Sequence, residues 1–289
     1  MAYYSAIIET SKRVVPTRLL LNNTKRFITT ISMSLLLTGC FERHRTTDSL
    51  CESYPELCAQ LNVNDGQCRI QRTGLIWQRY DVLKNPTDQE KFKELEATQK
   101  YIFCLEYAAR IEPTELKDRK TIRMNALYDS YNNITRLNKE LSLSTDPEII
   151  YYRWSQGDEQ AQQQFLALEG KKELETPNLQ LALASYYISK DKDKTYQLLH
   201  HALSLYKKNE TVNQDIIKSL ATLSQQQKKL KEAYIWVLIA NDMNMPVAEA
   251  KNVASLFLLT EDEQKVLNKK AVNILDNLQN GNYEQKMIN

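Results

Sequence analysis

The chain is poor in the residues that punctuate a backbone. It has 6 Gly and 7 Pro in 289 residues. No stretch alternates apolar and polar residues for long enough to argue a sheet. Histidine is scarcer still. The three are His44, His200 and His201. His200 and His201 are adjacent, so on a helix they point in different directions and cannot chelate one metal in the i, i+4 manner. There is no Gly-rich phosphate loop, no Gly-x-Ser-x-Gly and no His-Glu-x-x-His. Acid pairs such as Glu261 and Glu263 are explained by helix capping and the helix dipole. These absences leave no catalytic residue, no metal site and no cofactor to nominate. The apolar run from Phe27 to Leu37 falls short of the ~20 residues that span a bilayer.

What remains is a helical composition with an address at its start. Long Leu/Ala/Lys/Glu/Gln segments dominate, which favours an all-α protein. Lys25 and Arg26 precede the Phe27–Leu37 run, and the run ends in Leu37-Thr38-Gly39-Cys40. A basic start, a short apolar core and a small-residue cleavage region make a secretory signal. Leu-Thr-Gly-Cys resembles the lipobox of bacterial lipoproteins. The resemblance implies lipid on Cys40, cleavage before it, and a membrane-tethered domain after it. Phe41, where an acid would retain the protein in the inner membrane, implies the outer membrane. Residues 1–39 are thus expected to be a signal peptide. Within it, residues 1–20 read as sequence upstream of the natural start, with Leu21 as the initiating residue.

Removing the leader changes the charge. The whole chain has 38 Lys+Arg and 36 Asp+Glu, net +2. Five of the cations and one acid precede Cys40, so the mature chain carries net −2. No nucleic-acid partner is indicated.

Four cysteines follow Cys40: Cys51, Cys58, Cys68 and Cys104. An even set in one part of an exported chain suggests two disulfides, with three pairings possible. Pro55 suits the first turn of a helix. Cys51–Cys58 could then be a covalent version of the hydrophobic staple. On one continuous helix the two would be about 10 Å apart, so this pairing requires a break near Tyr54. The other bridge would be Cys68–Cys104. The alternatives are free buried thiols or a four-cysteine zinc site, although no pair shows zinc-knuckle spacing.

Residues 40–49 read as a lipidated polar tether and 50–143 as a cysteine-containing helical region. Asn62 to Gly66 is a turn. A helix from Gln67 to Lys84 has apolar positions Ile70, Leu75, Trp77 and Val82. A second, from Asp88 to Ile111, carries Cys104. A third, from about Thr114 to Leu141, shows Leu127, Tyr131, Ile134, Asn138 and Leu141 on one face.

From 144 to 280 the texture changes to short paired helices. Ala161, Phe165 and Leu168 are followed by Thr195, Leu199 and Ala202, then by Ala233, Val237 and Ala240. The internal spacing is constant and the offsets are 34 and 38 residues. Small residues at the two ends of such a set let neighbouring helices approach. The pattern resembles the second helix of tetratricopeptide and Sel1-like repeats. The chain as a whole is similar to an uncharacterised family of predicted lipoproteins of Gram-negative bacteria. The expected fold is all-α, a disulfide-stapled N-terminal helical region followed by an α-α superhelix of such pairs. Val247–Leu259 and a helix after Thr260 form a last pair, and residues 281–289 are expected to be a flexible tail.

Repeats of this kind usually bind partners, so the resemblance implies a non-enzymatic scaffold with an envelope protein or peptide as partner. The candidate groove residues are Tyr187, Lys218, Thr222, Gln225 and Gln226. A peptidoglycan-acting enzyme, or an accessory factor of cell-wall synthesis, is the alternative.

Overall fold

The structure is a computed structural model that describes residues 45–112 and 118–288. The regular elements among them are thirteen α-helices and two short 3-10 turns, with no strand. The chain divides into two compact units that interleave in sequence. Unit 1 takes residues up to Lys84 and then Ala97–Tyr131, and unit 2 takes Asn85–Glu96 and everything from Asn132. The lipobox cysteine, Cys40, lies outside the described residues.

Unit 1 begins with α1 (Thr47–Ser53) and α2 (Pro55–Cys58). Thr46 and Ser49 cap α1 reciprocally, side chain to backbone in both directions. The last three residues assigned to a tether, 47–49, are therefore helical. The expected boundary at 50 is corrected because two hydroxyls satisfy the first-turn N–H groups. Trp77 Nε1 also donates to Thr47 Oγ1 at 3.1 Å and holds this turn down. Tyr54, at φ −138° and ψ 74°, breaks the chain between α1 and α2.

Next come α3 (Arg69–Lys84), α4 (Asp88–Ala108) and α5 (Asp118–Glu140). Leu50, Leu57, Leu61, Leu75, Ile76, Tyr101, Leu105 and Ala126 make the core of unit 1. Two of the expected faces are rotated. On α3, Ile70 is 83% exposed while Arg72 is buried. Residues two apart lie about 200° apart around a helix, so burying one exposes the other. On α5 the buried stripe in this unit is Arg123, Ala126 and Ser130, and Tyr131 faces out. An apolar count slips by one position here because two of the three buried residues are polar.

Unit 2 contains a small cluster of Leu95, Leu137, Leu141 and Ile149, followed by helices in sequential pairs. These are α6 (Pro147–Ser155) with α7 (Glu159–Leu166), α8 (Pro177–Tyr187) with α9 (Lys192–Ser204), and α10 (Gln214–Gln226) with α11 (Leu230–Asp242). Asp146, Asp158, Thr176, Asp191 and Asn213 cap five of the six through side-chain oxygens. Each cap occupies an orphan N–H and sets a helix start. Ala161, Thr195, Ala202, Ala233 and Ala240 are all at most 1% exposed. These small side chains are buried with the large Phe165 and Leu199 of the same sets.

The end of unit 2 departs from the expected pattern. The helices α12 (Ala250–Leu256) and α13 (Glu261–Asn280) both pack on α11 rather than chiefly on each other. The reading of 281–289 as a loose tail is corrected. Tyr283 is 3% and Ile288 2% exposed, inside the largest core cluster. Gly281 closes α13 in the left-handed region at φ 72°, and a Cβ there would meet Lys208 N at 2.6 Å. Only glycine suits both the conformation and the close approach. The short polar sequence after it gave no apolar period, yet one aromatic and one aliphatic side chain suffice to dock it.

Candidate functional site

Both cysteine pairs of unit 1 are closed. Cys51–Cys58 has a Cα–Cα distance of 5.6 Å and Cys68–Cys104 one of 5.7 Å. The break at Tyr54 makes the first possible. The second ties the start of α3 to α4.

Between Cys58 and Cys68 the turn at Asn62–Gly66 turns inward. Arg72 Nη1 donates to Asn62 O at 2.7 Å, Asp65 O at 2.8 Å and Asn62 Oδ1 at 3.1 Å. Asn62 N donates to Tyr101 Oη at 3.1 Å. The Asp65 carboxylate accepts from Gln67 N and is gripped by Arg123 through Nε and Nη2. Arg123 Nη1 donates onward to Ala108 O at 3.0 Å. Asn62, Asp65, Arg72, Tyr101 and Arg123 are all at most 7% exposed. The Arg123 hydrogen bond holds the Asp65 carboxyl below the usual carboxylate range against the opposing cost of burial. Burial pulls Arg72 down and pushes the Tyr101 phenol up.

This hub shapes one wall of a cleft of about 690 Å³. From α1 come Thr47, Asp48, Cys51 and Glu52; from α3 come Arg69, Arg72, Thr73 and Ile76. The α3 set has the spacing of one helix face. Sequence reasoning did not single out these charges. The Asp48/Glu52 and Arg69/Arg72 spacings are visible in the chain, but nothing local says that the two faces meet.

In unit 2, Tyr187 donates from its hydroxyl to Glu169 Oε2 at 2.7 Å, and Lys194 Nζ lies 3.8 Å from its ring centroid. Lys218 is half-buried with Nζ 3.6 Å from Asp215. Thr222, Gln225 and Gln226 are exposed on α10. Lys218, Thr222 and Gln225 share a stripe of that helix, while Tyr187 belongs to α8. None of the five lines the cleft above or a second one of about 370 Å³ bounded by Leu143, Ile150, Arg153, Gln164 and Leu168.

The two adjacent histidines part company, as helical neighbours must. His201 is half-buried and reaches Glu175 Oε2 at 2.7 Å. His200 is 1% exposed, with Tyr283 Oη at Nδ1 and Trp236 5.7 Å away ring to ring. Burial, reinforced by Lys229, drops its pKa to about 3, so it is neutral. Among the described residues no three His, Cys, Asp or Glu side chains are grouped as a metal site would need.

The chain belongs to the family described as "Protein of unknown function (DUF2989)", which matches residues 37–238. No curated protein and no solved structure matches the chain.

Proposed function

We propose that this is a lipid-anchored protein of the bacterial cell envelope that acts, without catalysis, as a scaffold for another envelope protein or peptide. The observation that carries the reading is the closed state of both cysteine pairs, eleven residues and more beyond a lipobox-like Leu37-Thr38-Gly39-Cys40. Disulfides persist in exported proteins and are rare in the reducing cytosol. The family match begins at Leu37, the first lipobox position, which agrees with that stretch being part of the protein's plan. The anchor is an outer-membrane one facing the periplasm. The helix pairs follow a tetratricopeptide or Sel1-like arrangement. The outer side of α10, with Thr222, Gln225 and Gln226 exposed and Lys218 half-buried, is the partner surface.

Two measurements test this. Cys40→Ala in a Gram-negative host should leave an uncleaved precursor that takes no fatty-acid label. Unchanged processing would remove the anchor from the account. A photo-crosslinking residue at Gln226 in living cells should give one discrete adduct that the same probe at Gln285 does not. Identical adducts from both sites would remove the α10 surface.

A further inference from the structure

We infer that the cleft of unit 1 is a receptor for a small zwitterion, a group that carries an ammonium and a carboxylate or phosphate a few bonds apart. The walls carry opposite charge. Asp48 and Glu52 stand one turn apart on α1, and Arg69 and Arg72 stand on α3, across a cleft of about 690 Å³. Opposite charges that face one another on a protein ordinarily pair. Among the described residues, Asp48, Glu52 and Arg69 make no ion pair and no side-chain hydrogen bond, while Lys93, Arg136 and Lys265 all find acids on their own helices. Arg72 spends one nitrogen, Nη1, on the Asn62–Gln67 turn. Its Nε and Nη2 carry no bond, and neither is a buried orphan. The guanidinium of this largely buried residue is thus fixed by one edge and presents the other to the cleft it lines.

Placement on the helices gives a second, independent argument. Glu52 is in the last turn of α1, whose C-terminal end repels an anion. Arg69 is the first residue of α3, whose N-terminal end repels a cation. Neither charge helps its own helix, and neither has a partner. A ligand with an ammonium against Asp48 and Glu52 and an anionic group against Arg69 and the free edge of Arg72 would relieve both. The planar guanidinium fork matches carboxylate and phosphate alike. Thr47, Asn64 and Thr73 supply neutral polar contacts around it. The chemistry is shared by the ends of a short peptide and by a phosphoethanolamine lipid headgroup. This inference does not depend on the lipid anchor or on the α10 surface.

The test is calorimetric titration of the full mature chain with alanyl-alanine and, separately, with glycerophosphoethanolamine. Propionate and ethylammonium are the single-charge controls. At least one zwitterion should bind about tenfold more tightly than either control, a difference of ~1.4 kcal/mol. Arg69→Gln and Glu52→Gln should each abolish most of that advantage. Both variants should melt at or above the parent, because each removes a charge from the wrong end of a helix. Binding by alanyl-alanine alone assigns a peptide end, and by glycerophosphoethanolamine alone a lipid headgroup. If neither zwitterion outdoes its single-charge controls, or if Arg69→Gln and Glu52→Gln both bind like the parent, the inference is overturned.

Discussion

The two units hold themselves together by different means. Unit 1 closes a modest apolar core with two disulfides and a buried network of Asn62, Asp65, Arg72, Tyr101 and Arg123. Unit 2 has no disulfide among its described residues. It relies on small residues at helix contacts and on a continuous apolar cluster that runs from Ala184 to Ile288. A small core supplies little net stability, so staples make up the difference. Paired helices bury enough surface against their neighbours to dispense with them.

The largest expected effect breaks the unit 1 network. Arg123→Met leaves Asp65 as a buried, unpaired carboxylate and should cost about 3–5 kcal/mol in urea unfolding. The double replacement Arg123→Met with Asp65→Leu should recover part of that loss. Equal loss from single and double variants would mean that the network matters for shape rather than charge.

Reopening the bridges comes next. Cys68→Ala with Cys104→Ala removes a closure of 36 residues, about 4 kcal/mol by the chain-entropy model. Cys51→Ala with Cys58→Ala removes a closure of 7, about 2.5 kcal/mol. Differential scanning calorimetry should reproduce that order, with the unit 2 transition unmoved by either.

Acid should separate the units as well. The folded pKa of His200 is depressed to about 3 from 6.5. The unfolded chain therefore binds the extra proton first, and stability falls as pH drops below 6.5, by about 2 kcal/mol at pH 5. Asp65 is a carboxyl whose folded pKa is lowered, so its contribution is present above the unfolded value near 4 and is lost as pH falls through the folded one. Unit 2 should thus soften first on acidification. His200→Gln should flatten the loss between pH 6.5 and 5. An unchanged slope would point to another titrating group.

Smaller effects probe the stack. Ala240→Leu, at a position 1% exposed, should overpack a helix contact at about 1–3 kcal/mol. Gln226→Ala, on the exposed side of α10, should stay within about 0.5 kcal/mol. If the second melts lower than the first, the assignment of inner and outer faces is inverted.

Much of unit 2 was legible because its rules are local. Thr260 announces the start of α13, and Ala161, Thr195 and Ala233 announce contacts by size alone. Unit 1 was legible in its bridges and misread in its faces. Ile70 looked like core and is exposed, while Arg72, which no apolar period would place inside, is buried. A hydropathy period assigns a guanidinium to water. It cannot know that Asn62, 10 residues away, and Asp65, 58 residues before Arg123, supply acceptors that offset the desolvation.

By itself, then, the amino-acid sequence determined the all-helical class, the helix starts at Asp88 and after Thr260, the presence of two disulfides and the small-residue contacts of the paired helices. Each rests on chemistry within a few residues or on residue size. The tertiary structure alone decided which charges are buried, that Asp48 and Glu52 line one cleft with Arg69 and Arg72, and that Tyr283 returns to His200 from 83 positions away. Those outcomes depend on partners brought together by packing, and the energy of a polar group follows its surroundings rather than its neighbours in the chain.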